Sequence, residues 1–290
     1  MNKLEIWDEP QTPNQIMDEA IKEYDIEKIY VLFSGGKDSV CVVDFIAKNY
    51  PKQFAGAVFT NVGLGAIETR KFVINYCKEK GWKLWLTWAD DRKRFINILL
   101  EHGWASKGSH RIWMGYLKFH TWYYFLKYRK QLGEKACFVS GVRKKESMQR
   151  NKIKKYTRKP VDVNASMIFI KPFLYKNGEQ LWNYFIDNEL KKTPVYEWLN
   201  RSGECYCGAY TEEWDLKMLQ THDPLAFETI QYYEKLIQKI GTDEAKRHSK
   251  WGSKSSTNDI INQETIDNFF GKDIIQVNDD YCGESCQIES

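Results

Sequence analysis

The stretch Tyr30-Val31-Leu32-Phe33-Ser34-Gly35-Gly36-Lys37-Asp38-Ser39 decides the reading of this chain. A run of bulky apolar residues stops at a Ser-Gly-Gly turn, and Val40 to Lys48 then carries apolar residues at helical spacing. That pattern is a buried strand delivering a loop onto a helix N-terminus. The first amides of a helix lack partners and the dipole is positive there, so the place suits an anion. Gly35 and Gly36 let the backbone approach a phosphate closely. Ser34 and Ser39 bring hydroxyl donors, Lys37 brings a charge, and Asp38 can orient a magnesium ion or a ligand hydroxyl. The spacing is not the Gly-x-x-x-x-Gly-Lys-Ser/Thr of a Walker loop.

Working outward, strands are expected at Ile29–Phe33, Ala55–Thr60, Trp82–Thr87, Ala136–Ser140 and Met167–Ile170. Between the first four, helices are expected at 37–49, 68–80, 91–102 and 113–132, with another at 12–24 ahead of them. Strands alternating with helices of this length give βαβ units, and right-handed crossovers give a doubly wound, mostly parallel sheet with helices on both faces. Ligands of such sheets bind beyond the carboxyl ends of the strands. Ser34–Ser39, Asn61 and Gly141 all fall at that edge. After about residue 160 the rhythm turns helical, at 179–188, 211–220, 224–240 and 243–250. The expected organisation is an α/β nucleotide-binding domain over 1–160 and a mostly helical region with paired cysteines over 161–290.

Composition bounds the rest. Of 290 residues, 42% are hydrophobic, enough for a real core. No apolar run is long enough to span a bilayer, and the opening MNKLEIWDEPQTPNQ has no signal-peptide core, so no membrane partner and a cytoplasmic location are expected. Net charge is only +4, yet residues 143–159 hold nine Lys/Arg and one acid, Glu146. Such a run is either a solvated surface loop or a binding element for a phosphate-rich partner, nucleotide or nucleic acid. The five histidines show no metal-ligand spacing. The Trp/Tyr-rich stretch 113–128 reads as a buried helix face rather than a base-stacking surface.

A second constellation, Gly141-Val142-Arg143-Lys144-Lys145-Glu146-Ser147-Met148-Gln149-Arg150, follows a strand. Gly141 permits a turn close to a ligand, Arg143 and Arg150 can clamp phosphate or sulfate, and Glu146 can hold one of them in place. The Ser34–Ser39 loop resembles the Ser-Gly-Gly-x-Asp-Ser pyrophosphate loop of the adenine-nucleotide alpha-hydrolase superfamily. That group includes ATP pyrophosphatases and phosphoadenosine phosphosulfate (PAPS) reductases. The second run resembles the Gly-Ile-Arg-x-x-Glu-Ser-x-x-Arg segment of PAPS reductase-like proteins. Arg111 with Leu117-Lys118, then Lys171-Pro172-Phe173, Trp182, Pro194-Val195-Tyr196 and Gly203-Glu204-Cys205-Tyr206-Cys207-Gly208, follow that family's order. Trp113-Met114 stand where the family usually has Cys-Thr.

Seven cysteines in a chain without an export signal argue against a disulfide framework. Cys41, Cys77 and Cys137 lie in apolar patterns and read as core. Cys205-x-Cys207 and Cys282-x-x-x-Cys286 form two pairs beside glycines, able to surround one tetrahedral zinc ion (Zn2+) or one [4Fe-4S] cluster, or to act as redox thiols. Some sulfonucleotide reductases, which this chain resembles, carry such a cluster on paired cysteines. PAPS reductases place their nucleophile in a C-terminal Glu-Cys-Gly-x-His motif. Here Cys282-Gly283 has no following histidine, a departure that counts against the reductase reaction.

The resemblance implies an enzyme of sulfur metabolism that binds ATP or PAPS with Mg2+, using Lys37, Asp38 and Arg143 in catalysis. Its expected reaction is adenylation coupled to sulfur transfer, a transferase activity, onto tRNA, DNA or another acceptor, with a sulfur-donor protein as partner. The alternatives are a sulfonucleotide reductase, an oxidoreductase, and a nucleic-acid-binding subunit with a degenerate nucleotide site.

Overall fold

The computed structural model describes residues 11–88, 91–144, 161–164 and 167–252. Its residues group into two compact units interleaved along the chain. The first comprises the residues up to Phe33, then Lys37–Ala57 and Arg129–Lys191; the second comprises Ser34–Gly36, Val58–Tyr128 and the chain from Lys192 onward.

In the first unit, helix α1 (Pro13–Tyr24) begins where sequence chemistry demands it. Thr12 accepts from the Gln15 amide, Gln15 reaches back to the Thr12 amide, and Pro13 occupies a position whose N–H needs no partner. Strand β1 (Lys28–Leu32) leads into α2 (Lys37–Asn49), whose bounds match the sequence expectation. Strand β2 (Phe54–Asn61) starts in this unit and ends in the second.

Later in the chain come β4 (Ala136–Val139), β5 (Val161–Asn164), β6 (Met167–Ile170) and α7 (Gly178–Asp187). Sheet order in this unit is β2-β1-β4-β6-β5. β1 pairs parallel with β4, β4 with β6, and β5 runs antiparallel to β6. The sheet is thus mostly parallel within an α/β fold, as expected. β1 and β4 are buried through Ile29, Tyr30, Val31, Cys137, Phe138 and Val139. Val40, Cys41, Val42, Val43 and Ile46 of α2 are equally buried. Each large apolar side chain removed from water contributes about 1.5–3 kcal/mol.

The second unit holds the end of β2, α3 (Ile67–Lys80) and β3 (Leu84–Trp88), with β3 beside β2. It continues through α4 (Asp91–His102), α5 (His110–Met114) and the π-helical turn Gly115–Phe119. Helix α6 (His120–Gln131) begins here and ends in the first unit. After Lys192 come α8 (Tyr196–Leu199), α9 (Asp215–His222), α10 (Pro224–Ile240) and α11 (Asp243–Arg247). Its core centres on Trp104, Trp113, Leu117, Tyr206, Leu219, Ile230, Ile237 and Trp251. One buried polar chain is paired: Trp122 Nε1 donates to Thr60 Oγ1 at 2.9 Å, and Thr60 and Thr87 share a hydroxyl bond at 2.9 Å.

Several expectations are corrected. The helix expected over 113–132 starts at His110 and is broken by the π turn. β5, α8 and the antiparallel edge were not anticipated, and the helix expected at 211–220 lies at Asp215–His222. The boundary expected near residue 160 falls outside the described residues, as does the tail after Gly252.

Candidate functional site

The first unit supplies the charged half of the glycine-rich loop. Lys37 and Asp38 open α2, so the Asp38 carboxylate lies in the first turn, where the helix dipole favours negative charge. Two cations hold it. Lys37 Nζ lies 2.8 Å from Oδ1, and Arg143 meets Oδ2 through Nε at 3.0 Å and through its terminal nitrogen at 2.9 Å. Lys37, Asp38 and Arg143 are 18%, 25% and 12% exposed, so the cluster is screened only in part. The Lys37 ammonium also stands 5.9 Å from the centre of the Trp182 ring on α7. Ser39 is buried just behind.

Gly141 brings Arg143 to this place. A Cβ at Gly141 would lie 2.6 Å from the Asp38 carbonyl oxygen and 3.2 Å from the Ser39 nitrogen, so only glycine lets the chain after β4 pass the start of α2. The segment is pinned by Ser140 N–H to Ile170 O at 3.0 Å and Lys144 N–H to Leu174 O at 2.8 Å. Cys41, one turn further along α2, is fully buried, and burial pushes its thiol up to about 12, which disfavours the thiolate.

The uncharged half belongs to the second unit. Gly35 has φ +75°, a backbone state that favours glycine, and the Gly36 N–H leans on Ser34 Oγ at 3.4 Å. The Gly35 carbonyl accepts from Thr193 N–H at 3.0 Å, and Thr193 shares a buried hydroxyl bond of 3.0 Å with Thr69 of α3. Asn61, at the end of β2, turns its Oδ1 back to cap the Gly63 N–H at 3.0 Å.

The sequence-predicted residues therefore divide. Lys37, Asp38, Ser39, Gly141 and Arg143 come together in the first unit. Ser34, Gly35, Gly36 and Asn61 lie in the second. Glu146 and Arg150 lie outside the described residues.

The second unit also holds the Cys205-x-Cys207 loop. It is fixed by Tyr206 N–H to Leu64 O at 2.9 Å, Ala105 N–H to Cys207 O at 3.0 Å, and Trp251 Nε1 to Tyr206 O at 2.8 Å. The two thiols are hydrogen-bonded to each other. Sharing that bond raises the Cys205 thiol, with burial adding to it. The same bond lowers the Cys207 thiol, and contact with His110 lowers it further against the cost of burial.

Beside them Lys118, presented by the π turn, forms an ion pair with Glu204. Burial alone would lower the Lys118 ammonium, but the Glu204 carboxylate outweighs it and the net shift is upward. Sequence reasoning missed this pair, the His110 contact and the Lys37–Trp182 contact; the π turn, found at functional sites in many helices, leaves no spacing signal. Cys282 and Cys286 lie outside the described residues, and among the described residues no group of three ligand side chains surrounds a metal position.

A family model described as the phosphoadenosine phosphosulfate reductase domain matches residues 28–206. The chain belongs to that family. The match covers β1, the glycine-rich loop and Arg143, and ends at Tyr206, between Cys205 and Cys207. No curated relative matches the chain. Among solved structures, the Candida auris PAPS reductase in a phosphate complex is similar at 16% identity and TM-score 0.45, over 64% of this chain and 84% of that one. The U34-tRNA thiolase NcsA of Methanococcus maripaludis, with its [4Fe-4S] cluster, is similar at 13% identity and TM-score 0.46, over 92% and 90%. The ATP complex of the Candida glabrata FMN adenylyltransferase is similar at 14% identity and TM-score 0.43, over 65% of this chain and 57% of that one. Among the described residues, no helix is long and apolar enough to cross a membrane.

Proposed function

We propose that this PAPS reductase-like protein is an enzyme that binds an adenine nucleotide with its phosphates on Ser34–Ser39 and adenylates an acceptor for sulfur transfer. The observation that carries the reading is the Asp38 carboxylate, bridged by Lys37 and Arg143 in the first turn of α2. Two cations, a helix N-terminus and a backbone thinned by Gly141 form a site prepared for an anion. Phosphate oxygens would take over Lys37 and Arg143 from Asp38. Its oxygens keep lone pairs and it is 25% exposed, so the carboxylate fits a magnesium ion that would neutralise charge on the phosphates.

In the proposed reaction an acceptor oxygen attacks the α-phosphorus in line. The bond from that phosphorus to the α–β bridging oxygen breaks, and pyrophosphate leaves with the electron pair. A sulfur nucleophile then displaces AMP from the activated carbon. Lys37 and Arg143 orient the phosphates and balance the charge that develops on the leaving group. Cys205 and Cys207 are proposed as half of a cysteine set completed by Cys282 and Cys286, holding an iron–sulfur cluster or zinc. Two neighbouring thiols near the Lys118 ammonium, Cys207 buried and Cys205 partly so, suit thiolate ligation. A bound cluster would supply an electrophilic iron to hold sulfur.

Family membership favours one second reading, attack of a thiolate on PAPS, with the tail cysteines as nucleophile. ATP–Mg2+ turnover to pyrophosphate separates the first reading from sulfite release with thioredoxin. The binding claim is tested by thermal shift. Adenine nucleotide should raise the melting temperature of the wild type, while Gly36→Val and Asp38→Ala should abolish the rise. Unchanged nucleotide affinity in both variants sinks the assignment.

A further inference from the structure

Trp88 ends β3, at the carboxyl edge of the sheet, and its indole is 38% exposed. The Arg70 guanidinium of α3 lies 4.8 Å from the centre of that ring. Ile67, three residues earlier on the same face of α3, is 53% exposed. All three belong to the second unit. Among the described residues, Arg70 is the ring partner of Trp88, and no carboxylate or hydrogen-bond acceptor engages the guanidinium.

A comparison within the same strand shows what is unusual here. Lys83 stands 4.1 Å over Trp85, but that indole is only 8% exposed and packs edge-on against Phe125 at 5.7 Å. Trp85 is core with a cation laid over it. Trp88 has a cation 4.8 Å over its ring and stays 38% exposed.

We propose that Arg70 and Trp88 form a stacking platform for one base of a single-stranded nucleic acid, with the outer edge of the guanidinium taking the adjacent phosphate. An indole offers its face to any base, and base–aromatic stacking tolerates sequence. A guanidinium lying on one face orders the ring without side-chain entropy still to lose, and its in-plane N–H groups match a phosphate.

A strand is favoured over a free mononucleotide because the platform is an open surface stack. Small-ligand sites are concave and enclose most of their ligand, whereas a polymer draws affinity from several weak contacts. The platform would make the acceptor of the proposed sulfur transfer a single-stranded segment of nucleic acid. It rests on that reading for its purpose but not for its binding, which is measured without ATP.

The test is fluorescence anisotropy of a fluorescein-labelled twelve-nucleotide RNA in the absence of ATP, with ATP binding measured separately by calorimetry. Trp88→Ala should weaken RNA binding about tenfold or more, and Trp88→Phe should retain most of it. Arg70→Ala should weaken binding and reduce the salt slope by about one. ATP affinity and melting temperature should be unchanged in all three. RNA affinity equal to wild type in both Trp88→Ala and Arg70→Ala overturns the proposal, and so does a wild type that binds no RNA. A loss of ATP affinity with RNA binding intact overturns it as well, by assigning the base to a mononucleotide. Failure of ATP to bind the wild type would refute the proposed activation while leaving the RNA result standing.

Discussion

Gly141→Ala is the sharpest perturbation of the proposed site, because its effect follows from three distances. The added Cβ would sit 2.6 Å from the Asp38 carbonyl oxygen, 2.7 Å from its carbon and 3.2 Å from the Ser39 nitrogen. All three are backbone atoms in the first turn of α2, so no side chain can swing aside. Restoring the oxygen contact from 2.6 Å to an ordinary 3.4 Å requires a retreat of about 0.8 Å. Overpacking of this kind costs about 1–3 kcal/mol. In a chain of this size that lowers the melting temperature by roughly 2–12 °C.

The same displacement would carry Arg143, now 2.9 and 3.0 Å from Asp38 at the start of α2, out of hydrogen-bonding range of phosphates bound there. Bonds to charged groups are worth about 1.5–3 kcal/mol, so nucleotide affinity should fall by roughly 10- to 150-fold. Differential scanning calorimetry and titration calorimetry with ATP–Mg2+ read the two effects separately. Gly178→Ala is the control, since a Cβ there meets nothing within 4 Å at the start of α7. A Gly141→Ala protein with wild-type melting temperature and wild-type affinity would refute the reasoning.

Arg143→Ala should weaken nucleotide binding by about 1.5–3 kcal/mol, and Arg150→Ala by a similar amount, whereas Lys154→Ala should cost far less; equal losses by titration calorimetry at all three would indicate a diffuse basic surface. Lys118→Met should destabilise the protein by about 2–3 kcal/mol by stranding the Glu204 carboxylate beside two thiols, and adding Glu204→Gln should recover most of the loss in urea unfolding; a neutral single variant would contradict the buried pairing. Cys41 and Cys77 are pushed by burial from 9.0 up to about 12, so each contributes stability that is complete below pH 9 and lost as pH rises towards 12. Urea midpoints between pH 9 and 10.5 should therefore fall less steeply in Cys41→Ala and Cys77→Ala than in wild type, by up to about 1.4 kcal/mol per pH unit each; parallel slopes would count against the burial argument. Removing any one of Cys205, Cys207, Cys282 or Cys286 should lower the metal content of anaerobically prepared protein, and the cysteine set is falsified if wild type holds neither iron nor zinc.

Much of the fold was legible because its signals are local. Helix α10 runs over Pro224–Ile240 as expected, because Asp223 caps the Ala226 N–H at 3.2 Å, Pro224 tolerates the first position, and Gly241 follows the last turn. Helix α2 and the Gly35 turn were equally readable, since an apolar strand, a glycine with positive φ and an amphipathic helix follow in order. β5 was not readable: four residues, Val161–Asn164, come straight after a basic run and are ordered by pairing with β6, a tertiary cause. The π turn and α8 were missed for a like reason, being set by packing rather than by periodicity.

At the site, the glycines and charges were named from their types, but the geometry was not. Nothing in the spacing of Asp38 and Arg143, 105 residues apart, says that they form an ion pair. Asn61 was placed at the correct strand end, but its capping of Gly63 had no sequence signal of its own. The Lys118–Glu204 pair spans 86 residues and depends on a helical irregularity that hydrophobic patterning does not encode.

The central claim is that Ser34–Ser39 cradles the phosphates of an adenine nucleotide at the start of α2. A crystal structure of the protein grown with a non-hydrolysable ATP analogue and Mg2+ tests it most directly. The account predicts phosphate oxygens within hydrogen-bond reach of the Gly35 to Ser39 amides, with Lys37 and Arg143 turned from Asp38 onto the phosphates. Analogue density elsewhere in the molecule, with the Lys37–Asp38–Arg143 cluster undisturbed, would contradict it.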